Sequence, residues 1–218
     1  MMLENITEKF INDTLERHSL EEGNLIHDKL SLLFETFSDN TNLHDVLIKV
    51  ACVNKIYSTA ILNLKPVVDK IVEVHINIDS DIDFVKLVDE ISIVEWKNYK
   101  RKNLSFASKY VHFLSKKKTP IYDSYIWILI KAYLNKGKRN FSFQPPNNYI
   151  EFYNEFNKLK KQFPILDKYN NYQIDKFLWQ YGKELVISIK DEINIDSKIK
   201  IDLEKAKSEL KRRIKKSI

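Results

Sequence analysis

The sequence predicts a mostly α protein, and three observations carry that reading. Apolar residues recur at helical spacing through most of the 218 residues, glycine is scarce (Gly23, Gly137 and Gly182), and the few prolines mark element starts or breaks. Residues 4–20 and 25–38 place apolar side chains three and four apart, as at Leu30, Leu33 and Phe37. The pattern continues over 45–61 with Val46, Val50, Val53, Tyr57 and Ile61. A further helix over 66–75 takes Pro66 in its first turn. Residues 72–78 alternate as a strand does, which admits a minor two-stranded element, and Asp79, Ser80 and Asp81 read as a turn. A short helix is expected over 84–94. Two more, 104–114 and 124–134, flank a connector that contains Pro120. After a loop over 141–148 with its Pro145-Pro146 break come an aromatic-rich helix over 149–162 and another over 174–181. With no internal repeat and no long linker, the expectation is a single helical domain, 1–218, open to division into two lobes about a central cleft.

Composition narrows the function classes. Hydrophobic residues make up 44% and charged residues 30%, and no uninterrupted apolar run approaches the roughly 20 residues that cross a bilayer, so no membrane partner is expected. The N-terminal segment carries Glu4 and Glu8 and lacks a secretory pattern, and Cys52 is the single cysteine, which predicts an intracellular, cytoplasmic protein. Three glycines cannot assemble the phosphate-cradling loops of nucleotide-binding α/β folds. His18, His27, His44, His75 and His112 are dispersed, with no pair at the i, i+4 spacing of a helical zinc site, so neither metal nor cofactor is expected. Ser105, Ser108, Ser115 and Ser124 sit in no glycine-rich nucleophile elbow.

The formal net charge of +6 is mild, but it is concentrated. Between Lys97 and Lys118 lie eight basic side chains (Lys97, Lys100, Arg101, Lys102, Lys109, Lys116, Lys117 and Lys118) and no carboxylate. Such a run suits phosphate contacts, with DNA the expected partner and RNA left open. A second cluster, Lys205, Lys207, Lys211, Arg212, Arg213, Lys215 and Lys216, lies in 205–218, a basic C-terminal helix end read as a solvated face.

The stretch from Asn103 to Tyr125 is the most informative. Phe106, Tyr110 and Phe113 fall on one helical face, with Lys109 and His112 flanking it. Asp123 opens the next helix and is an N-cap candidate, and Lys109 has a plain alternative as a lysine reaching to solvent. The sharper reading joins them. A lysine amine can attack an electron-poor sugar carbon, and a carboxylate beside it can stabilise the positive charge that develops as a base leaves. The basic residues Lys97, Lys100, Arg101, Lys102, Lys116, Lys117 and Lys118 would hold phosphates on either side of an everted nucleotide. Phe106, Tyr110, Tyr122 and Tyr125 are available to line a base pocket, against the alternative of core packing. Trp179 reads as core, Asp175 as a cap or buried ion-pair partner, and Asn54, Tyr57 and Ser58 as a polar set.

At these residues the sequence resembles the helix-hairpin-helix DNA glycosylase superfamily, and more closely bacterial 8-oxoguanine glycosylase-like proteins. SFASKYVHF resembles the helix bearing the Schiff-base lysine, which places that role on Lys109, and PIYDSY resembles the end of the connector, which places the catalytic aspartate at Asp123. NKIYSTAI over 54–61 and IDKFLWQYGK over 174–183 are similar to an early and a closing helix of that fold, so the resemblance spans roughly 45–185. It implies a helix-hairpin-helix glycosylase-like fold and a DNA glycosylase, with lyase activity in its bifunctional form. The stretch 96–106, where the superfamily carries a glycine-rich turn, has no glycine here; Asn98 or Asn103 would have to supply left-handed backbone. The connector between Lys109 and Asp123 is also shorter than in typical members. The alternative is a non-catalytic nucleic-acid-binding or interaction module on the same scaffold.

Overall fold

A computed structural model describes residues 3–20, 23–76, 83–97, 99–138, 140–196 and 200–217, with the side chains of 23, 24, 99 and 196 left aside. In chain order the elements are α1 (Glu8–Leu20), α2 (Gly23–Thr36), α3 (Leu43–Ile56), α4 (Lys65–Glu73), α5 (Phe84–Ser92), β1 (Ile93–Trp96), β2 (Tyr99–Lys102), α6 (Leu104–Leu114), α7 (Ser124–Leu134), α8 (Tyr149–Gln162), a 3-10 turn (Pro164–Lys168), α9 (Asn171–Asp196) and α10 (Leu203–Ser217). The protein is mostly helical with a minor two-stranded antiparallel sheet. It divides into two compact units: Met1–Glu21, Asp123–Pro145 and Asn154–Ile218 form the first, and Glu22–Tyr122 with Pro146–Tyr153 the second.

In the first unit α9 is the organising helix. At 26 residues it extends well beyond the predicted 174–181, because no proline interrupts it and Gly182 costs only a local weakness. Gly182 sets the approach of α7: a Cβ there would lie 2.8 Å from the Cβ of Tyr125 and 3.3 Å from its carbonyl oxygen. The ring of Phe10 on α1 meets Phe177 and Tyr181 of α9 edge-on, at 5.4 and 4.9 Å. The basic C-terminal segment is an amphipathic helix. Lys205, Arg212, Lys215 and Lys216 are exposed, while Ala206, Leu210 and Ile214, at i, i+4 and i+8, pack with Val186 and Ile189 of α9. Arg213 bridges to Glu192 of α9 at 2.7 Å.

In the second unit α6 packs against α2 and against the stripes of α3 (Val46, Val50, Val53) and α5 (Leu87, Val88, Ile91), and the stripe of α4 (Val67, Val68, Ile71) packs with α3 and α5. The two-stranded element lies elsewhere than the alternation at 72–78 suggested. Val72 and Glu73 close α4, Val74 and His75 turn, and 77–78, with the proposed Asp79-Ser80-Asp81 turn, lies outside the described residues. The helix expected over 84–94 stops at Ser92 instead, and Ile93–Trp96 pairs with Tyr99–Lys102. Lys97 adopts φ 54° at the turn, and the amide of Asn103 donates to the carbonyl of Ser92 at 2.7 Å, closing the hairpin. Residues 99–106 are therefore strand and the start of α6, rather than the turn of a helical hairpin. Asn98 lies outside the described residues. Asn103, the other candidate for left-handed backbone, has φ −108°.

Candidate functional site

Helix α6 is apolar nearly all round, and ten of its eleven residues are buried. A helix of that pattern belongs inside a core. It carries Ser108, Lys109 and His112 in with it, so these polar groups need partners within the unit. Lys109 is only 3% exposed, which excludes the solvent-reaching alternative. Its ammonium donates to Ser105 Oγ at 2.8 Å, to the Ser105 carbonyl at 3.4 Å and to the Tyr122 carbonyl at 3.4 Å. It also lies 5.5 Å from the ring centroid of Tyr57. Ser108 Oγ accepts the amide of Tyr122 at 3.0 Å. Two neighbouring side chains of α6 thus hold both sides of the Tyr122 backbone.

The rest of the connector is tied down in the same way. Ser115 Oγ accepts the amide of Thr119, and Tyr149 donates its hydroxyl to the Pro120 carbonyl at 2.5 Å. His112 Nδ1 lies 2.6 Å from the Thr119 carbonyl. A carbonyl only accepts, so Nδ1 carries a proton. Nε2 of His112 is 3.2 Å from Nε2 of His27, with one ring donating and the other accepting. The fold has brought together two histidines 85 positions apart that sequence spacing treated as unrelated. Among the described residues no cluster of three His, Cys, Asp or Glu is placed to hold a metal.

Asp123 begins the first unit. Its backbone is extended (φ −140°, ψ 152°), and its carboxylate accepts the amide of Tyr125 at 2.9 Å, the N-cap role its position before α7 predicts. It follows Tyr122, the residue that Lys109 and Ser108 grip.

The predicted aromatic lining divides. Phe106 and Tyr110 are 1% and 0% exposed, and the Tyr110 hydroxyl donates to Asn40 Oδ1. They are core residues. Burial raises the Tyr110 hydroxyl far above the usual phenol range. Tyr122 is half-buried, its ring 5.4 Å from that of Phe152. Tyr125, also half-buried, lies in the first unit with the Lys207 ammonium 4.7 Å from its ring centroid. Asn54, from the polar set, closes the loop after α3: its side chain donates to the Ile61 carbonyl and accepts from the Ile61 amide and the Thr59 hydroxyl.

The basic residues fall in two places. Lys97, Lys100, Arg101 and Lys102 belong to the β1–β2 hairpin. Lys116 and Lys117 follow α6 with φ 51° and 69° and line a cavity of about 780 Å³ with Phe34, Asp39 and Asn40. Behind that wall lies a residue the sequence did not single out. Lys49 is fully buried, donating to Asn40 Oδ1 at 2.9 Å and the Asp39 carbonyl at 3.2 Å. Burial pushes its ammonium down to about 8. Its signal was faint: a lysine between Val46 and Val50 on an apolar helix.

Residues 6–118 match the HI_0787_N family, described as an N-terminal domain. A protein of Haemophilus influenzae, itself described as uncharacterized, is 28% identical over 152 residues, which is 67% of this chain and 71% of the relative. No solved structure matches. The family segment contains Lys109 and every basic residue from Lys97 to Lys118, and it ends before Asp123.

Proposed function

The chain belongs to the HI_0787_N family, and from the lysine site inside the matched segment we propose that it is a DNA glycosylase with lyase chemistry, excising a damaged or modified base. The observation that carries this reading is the buried Lys109 amine, held against Ser105 and an aromatic face and bonded to the carbonyl of the residue that precedes Asp123. An amine kept from bulk water on a rigid helix is suited to nucleophilic attack once it has given up its proton.

The neutral amine forms a bond to C1′ of the sugar while the bond from C1′ to the base breaks with its electron pair going to the base. The amine nitrogen then loses a proton, and the departing base takes one up. Opening of the sugar ring sends the C1′–O4′ pair to oxygen, which takes up the proton that the nitrogen still carries, and leaves an imine between Lys109 and C1′. By the resemblance Asp123 takes the second role, offsetting the positive charge that gathers on the sugar as the base departs. Its cap bond to Tyr125 fixes the orientation of the carboxylate.

A second reading is a nucleic-acid-binding module without chemistry. It is favoured by the acceptor set around Lys109, since three donor positions meeting three oxygens also describe a purely structural lysine. Borohydride trapping separates the two. The protein is offered duplex and single-stranded DNA carrying 8-oxoguanine, uracil or an abasic site, with Lys109→Ala and Lys109→Gln alongside and their folding checked by thermal melting. A covalent adduct lost in both folded variants supports the glycosylase. No adduct and no released base from any substrate passes the function to the binding module.

A further inference from the structure

The cavity of about 780 Å³ lies wholly within the second unit. Its apolar wall is made of buried core residues, Phe34, Ile76, Phe113 and Leu114. A volume of that size with a firm apolar wall and a few placed polar groups is the usual form of a small-molecule site. The charged groups here come from two places. Glu35 and Asp39 belong to the end of α2 and the loop after it, and Lys116 to the turn after α6. Opposite charges on one cavity wall gain by pairing, as Lys117 does with Asp28 at 3.8 Å. Glu35 and Lys116 do not: among the described residues neither has an ion-pair partner, so more than 4.0 Å separates their charged atoms. Asp39 is held ready. Its Oδ1 accepts the amide and hydroxyl of Thr41 and the amide of Asn42, which keeps the carboxyl below its usual range and leaves Oδ2 open. From inside the core, Lys49 donates to the Asp39 carbonyl and to Asn40 Oδ1, so the buried lysine fixes the backbone that carries this carboxylate.

We propose that this cavity binds a small zwitterion with an apolar side chain, of the amino-acid class. Asp39 and Glu35 receive its ammonium, Lys116 its carboxylate, and the side chain lies against Phe34, Phe113 and Leu114. A singly charged ligand would leave either the carboxylates or Lys116 unanswered, whereas a dipolar one answers both. The two halves are not equal. Glu35 and Leu114 lie in the last turns of α2 and α6, and His75 two residues past the end of α4, so three helix C-termini border the cavity. The partial negative charge of their carbonyl ends adds to the two carboxylates, which makes the ammonium the more tightly held half and disfavours phosphate. The assignment does not depend on the glycosylase reading, whose chemistry uses none of these residues.

The test is titration calorimetry of the full chain at low salt, backed by saturation-transfer NMR, with L-phenylalanine, L-leucine and glycine as probes. Phenethylamine, hydrocinnamate and inorganic phosphate serve as singly signed comparisons. Phenylalanine and leucine bind, and glycine, which lacks the apolar group, binds roughly 10-fold or more weakly. Phenethylamine keeps more of the affinity than hydrocinnamate. Lys116→Met weakens phenylalanine roughly 5-fold, the scale of one exposed ion pair, and leaves phenethylamine unchanged. Asp39→Asn, which keeps an acceptor for the Thr41 and Asn42 amides, weakens both. Thermal melting confirms that each variant is folded. No saturable binding of phenylalanine or leucine in the millimolar range, or binding that both folded variants leave intact, overturns the site. Equal affinity for phenylalanine and phenethylamine overturns the zwitterion, and tighter binding of inorganic phosphate overturns the assignment of the charges.

Discussion

Lys49 offers the most quantitative test of the second unit. Its ammonium is fully buried, and its acceptors, Asn40 Oδ1 and the Asp39 carbonyl, are uncharged. The rings of Phe34 and Tyr110 lie 5.6 and 5.9 Å away. Burial lowers its pKa from 10.5 to about 8, with Asp45 and Asp39 acting weakly in the other direction. Between those two values the unfolded chain binds a proton that the folded chain does not, so stability rises with pH through this window. The full shift corresponds to about 3 kcal/mol, and the part gained between about pH 7.5 and about pH 9.5 is about 2 kcal/mol. Lys49→Met removes the titration and leaves the other ionising groups in place. Urea denaturation of both proteins at the two pH values isolates the contribution as a difference of differences. The wild type gains about 2 kcal/mol on the variant as pH rises. The absolute offset between them also contains the donors Asn40 and Asp39 lose, which does not vary with pH. A difference that stays constant across the interval refutes the assignment of a proton-shedding buried amine.

Three further outcomes are expected. Asp123→Ala costs about 1 kcal/mol in chemical denaturation by removing the cap on Tyr125, whereas Asp123→Asn, an equally good cap, keeps stability near the wild type and, under the proposed glycosylase reading, abolishes base release. Gly182→Ala drives a Cβ to 2.8 Å from Tyr125 Cβ, and because that atom cannot swing away α7 and α9 must separate; a loss of about 1–3 kcal/mol is expected in thermal or urea unfolding. Glu209 is held down to about 2 by its hydrogen bonds to Arg212 and Arg213. Its stabilising contribution is complete above the ordinary 4.5 and disappears as pH falls through about 2, so Glu209→Gln gives a flatter acid-denaturation profile than the wild type over that interval.

How far the sequence could be read depended on whether a residue's role was set locally. Helices α6, α7 and α8 fall at the predicted bounds because apolar spacing, the Asp123 cap and the Pro145-Pro146 break are all short-range signals. The hairpin was missed because Ile91, Ile93 and Val94 continue an apolar run that cannot by itself separate a helix end from a strand; pairing with residues 99–102 decides it. The length of α9 was missed for a related reason. Past 181 its apolar positions are spaced by the demands of α1, α7 and α10 in turn, so no single stripe marks its course. Lys109 and Asp123 were legible as candidates, and the cap role of Asp123 with them. The burial of Lys49 and the meeting of His27 with His112 were not, since each depends on contacts between distant segments.

The buried polar residues of α6 explain why that helix is more than packing. A core helix of Leu, Phe and Val alone would bury its faces at no desolvation cost, yet this one takes in Ser108, Lys109 and His112. Each returns a bond to the connector: Ser108 and Lys109 to the two sides of the Tyr122 backbone, His112 to the Thr119 carbonyl. Tyr149 adds a fourth constraint at Pro120. Backbone that emerges from a helix with Lys116 and Lys117 both in left-handed conformations has no regular ladder to hold it, so these side-chain bonds set its path. Replacing Ser108 by Ala should therefore act at a distance from its own small volume. It frees the Tyr122 amide and loosens one side of the grip that Lys109 completes. Amide exchange of Tyr122 should accelerate in Ser108→Ala while exchange in α3 and α4, which share the core but not the connector, stays at wild-type rates. Uniform acceleration across the unit would mean that Ser108 only fills space.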